Sequence, residues 1–131
     1  MIYKTVWFLR RNPAMTREEF VEYYETKHSK LVAHFDGVVK YFRRYPVQRD
    51  GEFDVMMELW FESQQAFDAS HERDEADEAF WEAAVEDEKK LFDYGADGWR
   101  TMVVIDVEHE TDLSSPSLET TYERGIASSQ S

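Results

Sequence analysis

Strand-like and helix-like patterns alternate along this chain in an order that few folds accommodate. Residues 2–10 are apolar, β-branched or aromatic at most positions, which favours a strand. A helix is predicted to follow from Thr16, because Thr16 and Glu19 have the spacing of a Thr-x-x-Glu capping box. The helical pattern runs to about Phe35, and Gly37 can end it in the left-handed conformation.

The rest of the pattern completes a recognisable topology. The three further predicted strands cover residues 38–49, 53–61 and 99–107. Asp50-Gly51 is a hairpin signal between the first two of them. Ser63 can cap a short helix, and a long acidic helix is predicted over residues 71–93. The order β-α-β-β-α-β predicts an α+β, ferredoxin-like fold with one antiparallel sheet.

The first strand carries apolar residues on both faces. Trp7 and Leu9 have one parity, and Val6 and Phe8 have the other. The fourth strand shows the same property. Because both helices of this topology cover one face of the sheet, the other face would be polar in a monomer. We therefore predict a homodimer in which a second subunit covers that face.

Composition limits the classes of function. The chain has 131 residues, enough for one domain, and we place that domain at residues 1–107. Residues 108–131 are rich in Ser, Thr and Glu and are predicted to be a tail that is mobile or wraps over the partner subunit. The formal net charge of −13 argues against binding to nucleic acids or anionic membranes. The apolar start is too short to span a bilayer, and we expect a cytoplasmic protein.

Residue types and spacings predict neither a metal nor a cofactor. The chain has no cysteine, which excludes thiolate metal sites and cysteine nucleophiles. Its histidines lack metal-site spacing, and no glycine-rich loop precedes a helix to bind phosphates. Proton transfer by side chains alone is the chemistry that remains.

His28 is the first candidate for that chemistry. Phe20, Tyr24 and His28 recur every four residues, so they form one ridge on a helix. A mostly apolar ridge that ends in an imidazole allows two interpretations. His28 is either a core residue with satisfied ring nitrogens or a pocket residue that moves protons near neutral pH.

With these elements placed, the sequence resembles the EthD family of dimeric α+β barrels. The similarity covers roughly residues 1–107. The matching segments are the strand end F-L-R-R at 8–11, the helix entry M-T-R-E-E-F at 15–20, Y-Y-x-x-x-H at 23–28, F-D at 53–54, E-L-W-F at 58–61 and D-E-x-x-x-x-D at 87–93. Leu91 stands in the last motif where the family usually has Phe.

The resemblance implies two sheets packed back to back in a dimer, with a pocket between each sheet and its helices. Relatives of this fold include cofactor-free monooxygenases, lactone isomerases, polyketide cyclases and aromatic decarboxylases. The matching histidine of the family points into the pocket, which favours the catalytic interpretation of His28. Tyr24, one helical turn earlier, is predicted to hydrogen-bond a substrate oxygen.

Other residues are predicted to bind the substrate. The candidates are Trp7, Tyr41, Arg43, Glu58, Trp60 and Trp81. Aromatic residues of strands and helices are more often core residues, and we expect only one or two of these to line the site. Glu58 is also explained as an ion-pair partner of Arg43 or Arg44. Asp87 and Asp93 are interpreted as structural.

The predicted function is a cofactor-independent lyase, with decarboxylation favoured, or an isomerase that acts on a small aromatic or phenolic compound through His28. One alternative is a cofactor-free monooxygenase of polycyclic phenols. The other is a non-enzymatic accessory protein that binds a ligand in a catabolic pathway.

Overall fold

A computed structural model describes residues 1–33, 35–72, 78–97 and 99–114 of the chain. The strands are β1 (Tyr3–Leu9), β2 (Val38–Arg44), β3 (Val55–Phe61) and β4 (Arg100–Val104). They form one antiparallel sheet in the order β2-β3-β1-β4. The helical elements are α1 (Arg17–Tyr23), a π-helical turn (Tyr24–His28), α2 (Ser29–Val32), α3 (Gln64–Ser70) and α4 (Glu78–Leu91). The predicted ferredoxin-like α+β fold is confirmed.

The two faces of the sheet differ in what covers them. Val55, Met57, Leu59 and Phe61 alternate along β3 and are buried under the helices. The intervening residues of β3 lie on the opposite face, where no helix among the described residues packs. We call the first the helix face and the second the open face.

The first helical region begins as the sequence predicts. The side chain of Thr16 accepts a hydrogen bond from the Glu19 amide at 3.1 Å, and Glu19 accepts one from the Thr16 amide at 2.9 Å. The predicted capping box is therefore confirmed. The region is not one continuous α-helix, however, because a π-helical turn replaces it at Tyr24–His28 and α2 ends at Val32. Such turns insert an extra residue into the helical repeat and are frequent at functional sites.

Two connections test the predicted turn chemistry. Gly37 has φ of +82°, so the predicted left-handed glycine is confirmed. The strands on either side of Asp50-Gly51 pair as predicted, but the prediction of a tight hairpin turn between them is wrong. The strands stop at Arg44 and resume at Val55, and Gly51 lacks the positive φ that a two-residue type I′ turn requires.

The last strand is shorter than predicted and leads into an extended segment. The Ile105 amide donates to the Lys4 carbonyl at 3.0 Å, and Glu108 pairs with the Lys4 ammonium at 2.6 Å. Residues 115–131 of the predicted tail, residues 73–77 of the predicted acidic helix and His34 lie outside the described residues. The predicted domain boundary at residue 107 and the course of the tail stay predictions. Within the described ranges, no helix is both long and apolar enough to cross a membrane.

Candidate active site

An apolar cavity of about 320 Å³ lies between the helix face of the sheet and the helices. Its size is within the range of small-molecule sites, about 300–1,000 Å³. Aromatic side chains form much of the wall, among them Trp7, Phe35, Phe67, Trp81, Phe92 and Trp99. A planar, mostly apolar ligand is the kind of molecule that such a wall accommodates.

His28 ends the π-helical turn and lines this cavity, and the residue is only 3% exposed. Its Nδ1 atom lies 2.8 Å from Oδ2 of Asp87. A carboxylate can only accept, so Nδ1 carries the hydrogen of this bond. Across the described part of the chain the ring makes no other hydrogen bond, which leaves Nε2 as the nitrogen that a ligand can reach.

The sequence analysis interprets Asp87 as structural, and the structure places it in contact with His28. It lies on α4, and its two carboxylate oxygens accept from Tyr23 and from His28. The hydrogen bond to Asp87, with burial and the negative charge of Asp87, raises the pKa of Tyr23 to about 12. A signal for Asp87 was present in the sequence, because it stands between Ala84 and Leu91 on the buried stripe of α4.

Tyr24 lies beside His28, and its hydroxyl is turned towards the sheet. The hydroxyl donates to Sδ of Met57 and accepts from the hydroxyl of Tyr41, both at 3.1 Å. Burial is the main cause that raises the pKa of Tyr24 well above 10.0, and Tyr41 adds to it. The phenol therefore stays protonated, and its ring packs edge-on against His28 with centroids 5.3 Å apart.

Arg43 and Tyr41 lie on the helix face but do not line the cavity. Glu25 accepts two hydrogen bonds from Arg43, at 2.8 and 2.6 Å, and a third from Tyr45 at 2.6 Å. Arg43 is the main reason that the pKa of Glu25 is lowered. The positive charge of Arg43 is therefore already paired beneath the π-helical turn.

Glu58 and Trp60 lie on the open face, across the sheet from the cavity. Glu58 accepts from Arg44 at 3.0 Å and from the indole of Trp60. The ammonium groups of Lys4 and Lys40 lie over the Trp60 ring at 4.0 and 4.7 Å. The structure does not bring these two predicted substrate-binding residues to His28.

Trp7 and Trp81 do line the cavity, at different parts of its wall. The indole of Trp7 donates to Thr5 at 3.0 Å, and Trp81 packs on Phe35 with ring centroids 4.9 Å apart. Sequence reasoning assigned no role to Arg100, which also lines the cavity with its guanidinium 5.3 Å from the Trp7 ring centre. In the described ranges, no three His, Asp or Glu side chains come together as a metal site requires.

Comparisons with known proteins agree on the fold. A family model for the EthD domain matches residues 12–95. An EthD family protein of Bacillus halodurans C-125 is 16% identical, covers 82% of this chain and 100% of its own, and has a TM-score of 0.59. A dimeric ferredoxin-like protein of unknown function from Thermobifida fusca YX is 21% identical, with 82% and 92% of the two chains covered and a TM-score of 0.57.

A third structure introduces a named activity. It is a Caulobacter crescentus CB15 protein provisionally named an antibiotic biosynthesis monooxygenase. It is 18% identical, with 82% of this chain and 91% of its own covered and a TM-score of 0.54. No curated protein matches the chain. At these identities, likeness to solved structures shows the fold alone.

Proposed function

We propose that this chain, which belongs to the EthD family, is a cofactor-independent enzyme that transfers a proton to or from a small aromatic compound in the cavity. Decarboxylation of a hydroxyaryl carboxylate is the reaction that we favour. The observation that carries the proposal is the bond of 2.8 Å between Nδ1 of the buried His28 and Asp87. It fixes the tautomer and leaves a basic nitrogen at an apolar, aromatic-lined cavity.

The proposed reaction needs only groups of the chain and of the substrate. The imidazolium of His28 donates its Nε2 proton to the ring carbon that bears the carboxylate, and the phenolate of the substrate supplies the electron pair for the new C–H bond. The bond to the carboxylate then breaks, carbon dioxide leaves, and the electron pair of that bond restores the aromatic phenolate. Asp87 stabilises the imidazolium before the proton is transferred. His28 regains a proton from solvent for the next turnover.

A turnover screen tests this proposal. Wild-type protein, His28→Gln and the control His109→Gln are incubated with hydroxyaryl carboxylic acids, with and without oxygen, and products are detected by mass spectrometry. His109 is the matched control because it is an exposed histidine outside the cavity. We expect a product lighter by carbon dioxide that requires His28 but not oxygen. Unchanged turnover by a folded His28→Gln variant would contradict the proposed role.

Two alternatives give different results in the same screen. A monooxygenase, which the name of the Caulobacter crescentus structure brings into consideration, yields a product that contains added oxygen and forms only in air. A ligand-binding accessory protein binds compounds without converting them. Neither the wild type nor His28→Gln then yields a product.

We further propose that two copies of the chain associate through the open face. Val103 is 43% exposed and Ile105 is 37% exposed in the single chain. Val103 pairs with Val6 of β1, which places this apolar strip on the open face. The Thermobifida fusca relative of the same fold is named as dimeric. Sedimentation equilibrium of the wild type and of Val103→Lys tests this: we expect a dimer that the lysine weakens, and a monomeric wild type would refute it.

A further inference from the structure

Arg100 stands at the edge of the cavity with its charge unpaired. Five residues of β4 are exposed, and Arg100, the first of them, lines the cavity beside Trp7. In the parts of the chain that are described, no carboxylate lies within 4.0 Å of its guanidinium. Four other arginines are paired with carboxylates: Arg11 with Asp54, Arg43 with Glu25, Arg44 with Glu58 and Arg49 with Glu18. Arg10 and Arg17 form no such pair among the described residues, but neither lines the cavity.

Aromatic rings hold Arg100 in place instead of a carboxylate. Its guanidinium carbon lies 5.3 Å from the centre of the Trp7 ring and 5.2 Å from that of Trp99. Tyr94 also stacks on Trp99, with ring centroids 4.3 Å apart. A guanidinium over aromatic faces keeps its hydrogen-bond donors directed outward, where a planar anion can accept two of them.

A continuous line of ring contacts joins Arg100 to His28. His28 lies 5.7 Å from Phe92, and Phe92 stacks on Trp99 at 5.9 Å. Arg100 lies at the far end of this wall, over Trp99. A flat ligand lying along the wall would thus meet a basic nitrogen at its inner end and a cation at its outer end.

Arg100 is the group of the described lining that can attract an anion. Among the described lining residues, Arg100 is the one arginine and there is no lysine. Glu88 brings one negative charge to the lining, and its carboxylate accepts a hydrogen bond from the hydroxyl of Tyr94. The chain has a net charge of −13, which repels anions in general. A guanidinium without an ion pair at the cavity gives an anion a local place to bind.

We propose that Arg100 selects aromatic compounds that carry a negative charge, a carboxylate or a phenolate, at the end remote from the atom that His28 protonates or deprotonates. This inference rests on the proposed function, because it takes the cavity to be the substrate site. It assigns Arg100 to specificity and binding, and leaves the proton transfer to His28.

Binding of a matched pair of probes tests the inference without turnover. The anion para-(trifluoromethyl)benzoate and its neutral counterpart para-(trifluoromethyl)benzamide are titrated with wild-type protein and followed by fluorine NMR. We expect the wild type to bind the anion about five- to tenfold more tightly, since a partly exposed charged hydrogen-bond pair contributes about 1–1.4 kcal/mol.

Three variants test whether the preference for the anion depends on Arg100. Arg100→Met keeps the aliphatic stem and is expected to abolish the preference for the anion, while Arg100→Lys retains part of it. Arg49→Met is the control, because Arg49 is an exposed arginine paired with Glu18 and does not line the cavity. We expect it to keep the full preference. Thermal unfolding of each variant checks that the fold is intact.

The outcomes separate this inference from the proposed function. Wild-type protein that fails to bind the benzoate, or binds both probes equally, overturns the inference, as does a preference that survives in Arg100→Met. A preference that depends on Arg100 in a protein with no turnover of any substrate supports the inference and refutes the proposed enzyme. Turnover that requires His28, in a protein that binds the two probes equally, supports the proposed enzyme and overturns the inference.

Discussion

Asp87→Asn separates the charge of the Asp87 side chain from its shape. The carboxylate accepts two hydrogen bonds, from Nδ1 of His28 at 2.8 Å and from the hydroxyl of Tyr23. An asparagine offers one accepting oxygen and one donating amide, so it cannot accept both bonds. If the amide faces His28, the imidazole has to change tautomer and place its hydrogen on Nε2, and it loses the negative partner that stabilises the imidazolium needed as proton donor.

The size of the effect follows from the burial of this pair. The side chains of His28 and Asp87 are 4% and 13% exposed, so solvent screens their interaction little. A hydrogen bond to a charged acceptor contributes about 1.5–3 kcal/mol. If that stabilisation acts on the imidazolium of the reacting complex, its loss lowers turnover by about 10- to 150-fold. We expect the free energy of unfolding to fall by the same amount, about 1.5–3 kcal/mol.

Two measurements check this prediction. The ¹⁵N shifts of the His28 ring report the tautomer directly, and turnover of the substrate found in the screen reports the rate. Glu86→Gln is the matched control: it removes one charge from the same helix, at an exposed ion pair with Lys89 of 3.1 Å. We expect it to change stability by less than about 1 kcal/mol. An unchanged tautomer with turnover within about twofold of wild type would refute the positioning role of Asp87.

Three further predictions concern stability. Gly37→Ala should destabilise the fold by about 2–4 kcal/mol in denaturant titrations, because φ is +82° and the new Cβ would lie 2.8 Å from Cβ of Ala66. Gly51→Ala is the control, since the nearest atom to its new Cβ is 3.8 Å away, and it should be tolerated. Tyr23 has a folded pKa of about 12 against 10.0 unfolded, so its stabilisation is present below pH 10 and lost as pH rises from 10 to 12. Tyr23→Phe should flatten that part of the stability curve. The lowered pKa of Glu25 has the opposite sign: its stabilisation is present above pH 4.5 and lost as pH falls through the folded pKa, and Glu25→Gln should remove that loss. A Glu25→Gln variant with the wild-type acid dependence would contradict the assignment to the pair with Arg43.

Local patterns predicted much of the fold because they act over a few residues. The capping box at Thr16 and Glu19 and the left-handed Gly37 depend on neighbours within one turn. The hairpin signal at Asp50-Gly51 failed because the strand pairing ends at Arg44, before the turn. The π-helical turn has no sequence signature that could have located it, although it contains both Tyr24 and His28.

The candidate site could be predicted only in part, because it depends on contacts between residues that lie far apart in the sequence. His28 was identified from its ridge, but its partner Asp87 lies on a helix 59 residues further along the chain. Arg100 has no motif of its own and reaches the cavity because β4 pairs with β1, opposite Leu9. Both residues gain their proposed roles from topology, which places distant segments side by side.

The parity of β3 explains why two predicted binding residues lie elsewhere. Met57 and Leu59 face the helices, so Glu58 between them must face the open side, together with Trp60. There Glu58 binds Arg44, and Trp60 lies under two lysines, so the β2–β3 part of the open face is charged and internally paired. The β4 part of that face is apolar and exposed at Val103. An interface between two copies would therefore gain most from burying β4, while the paired charges near β2 could remain hydrated.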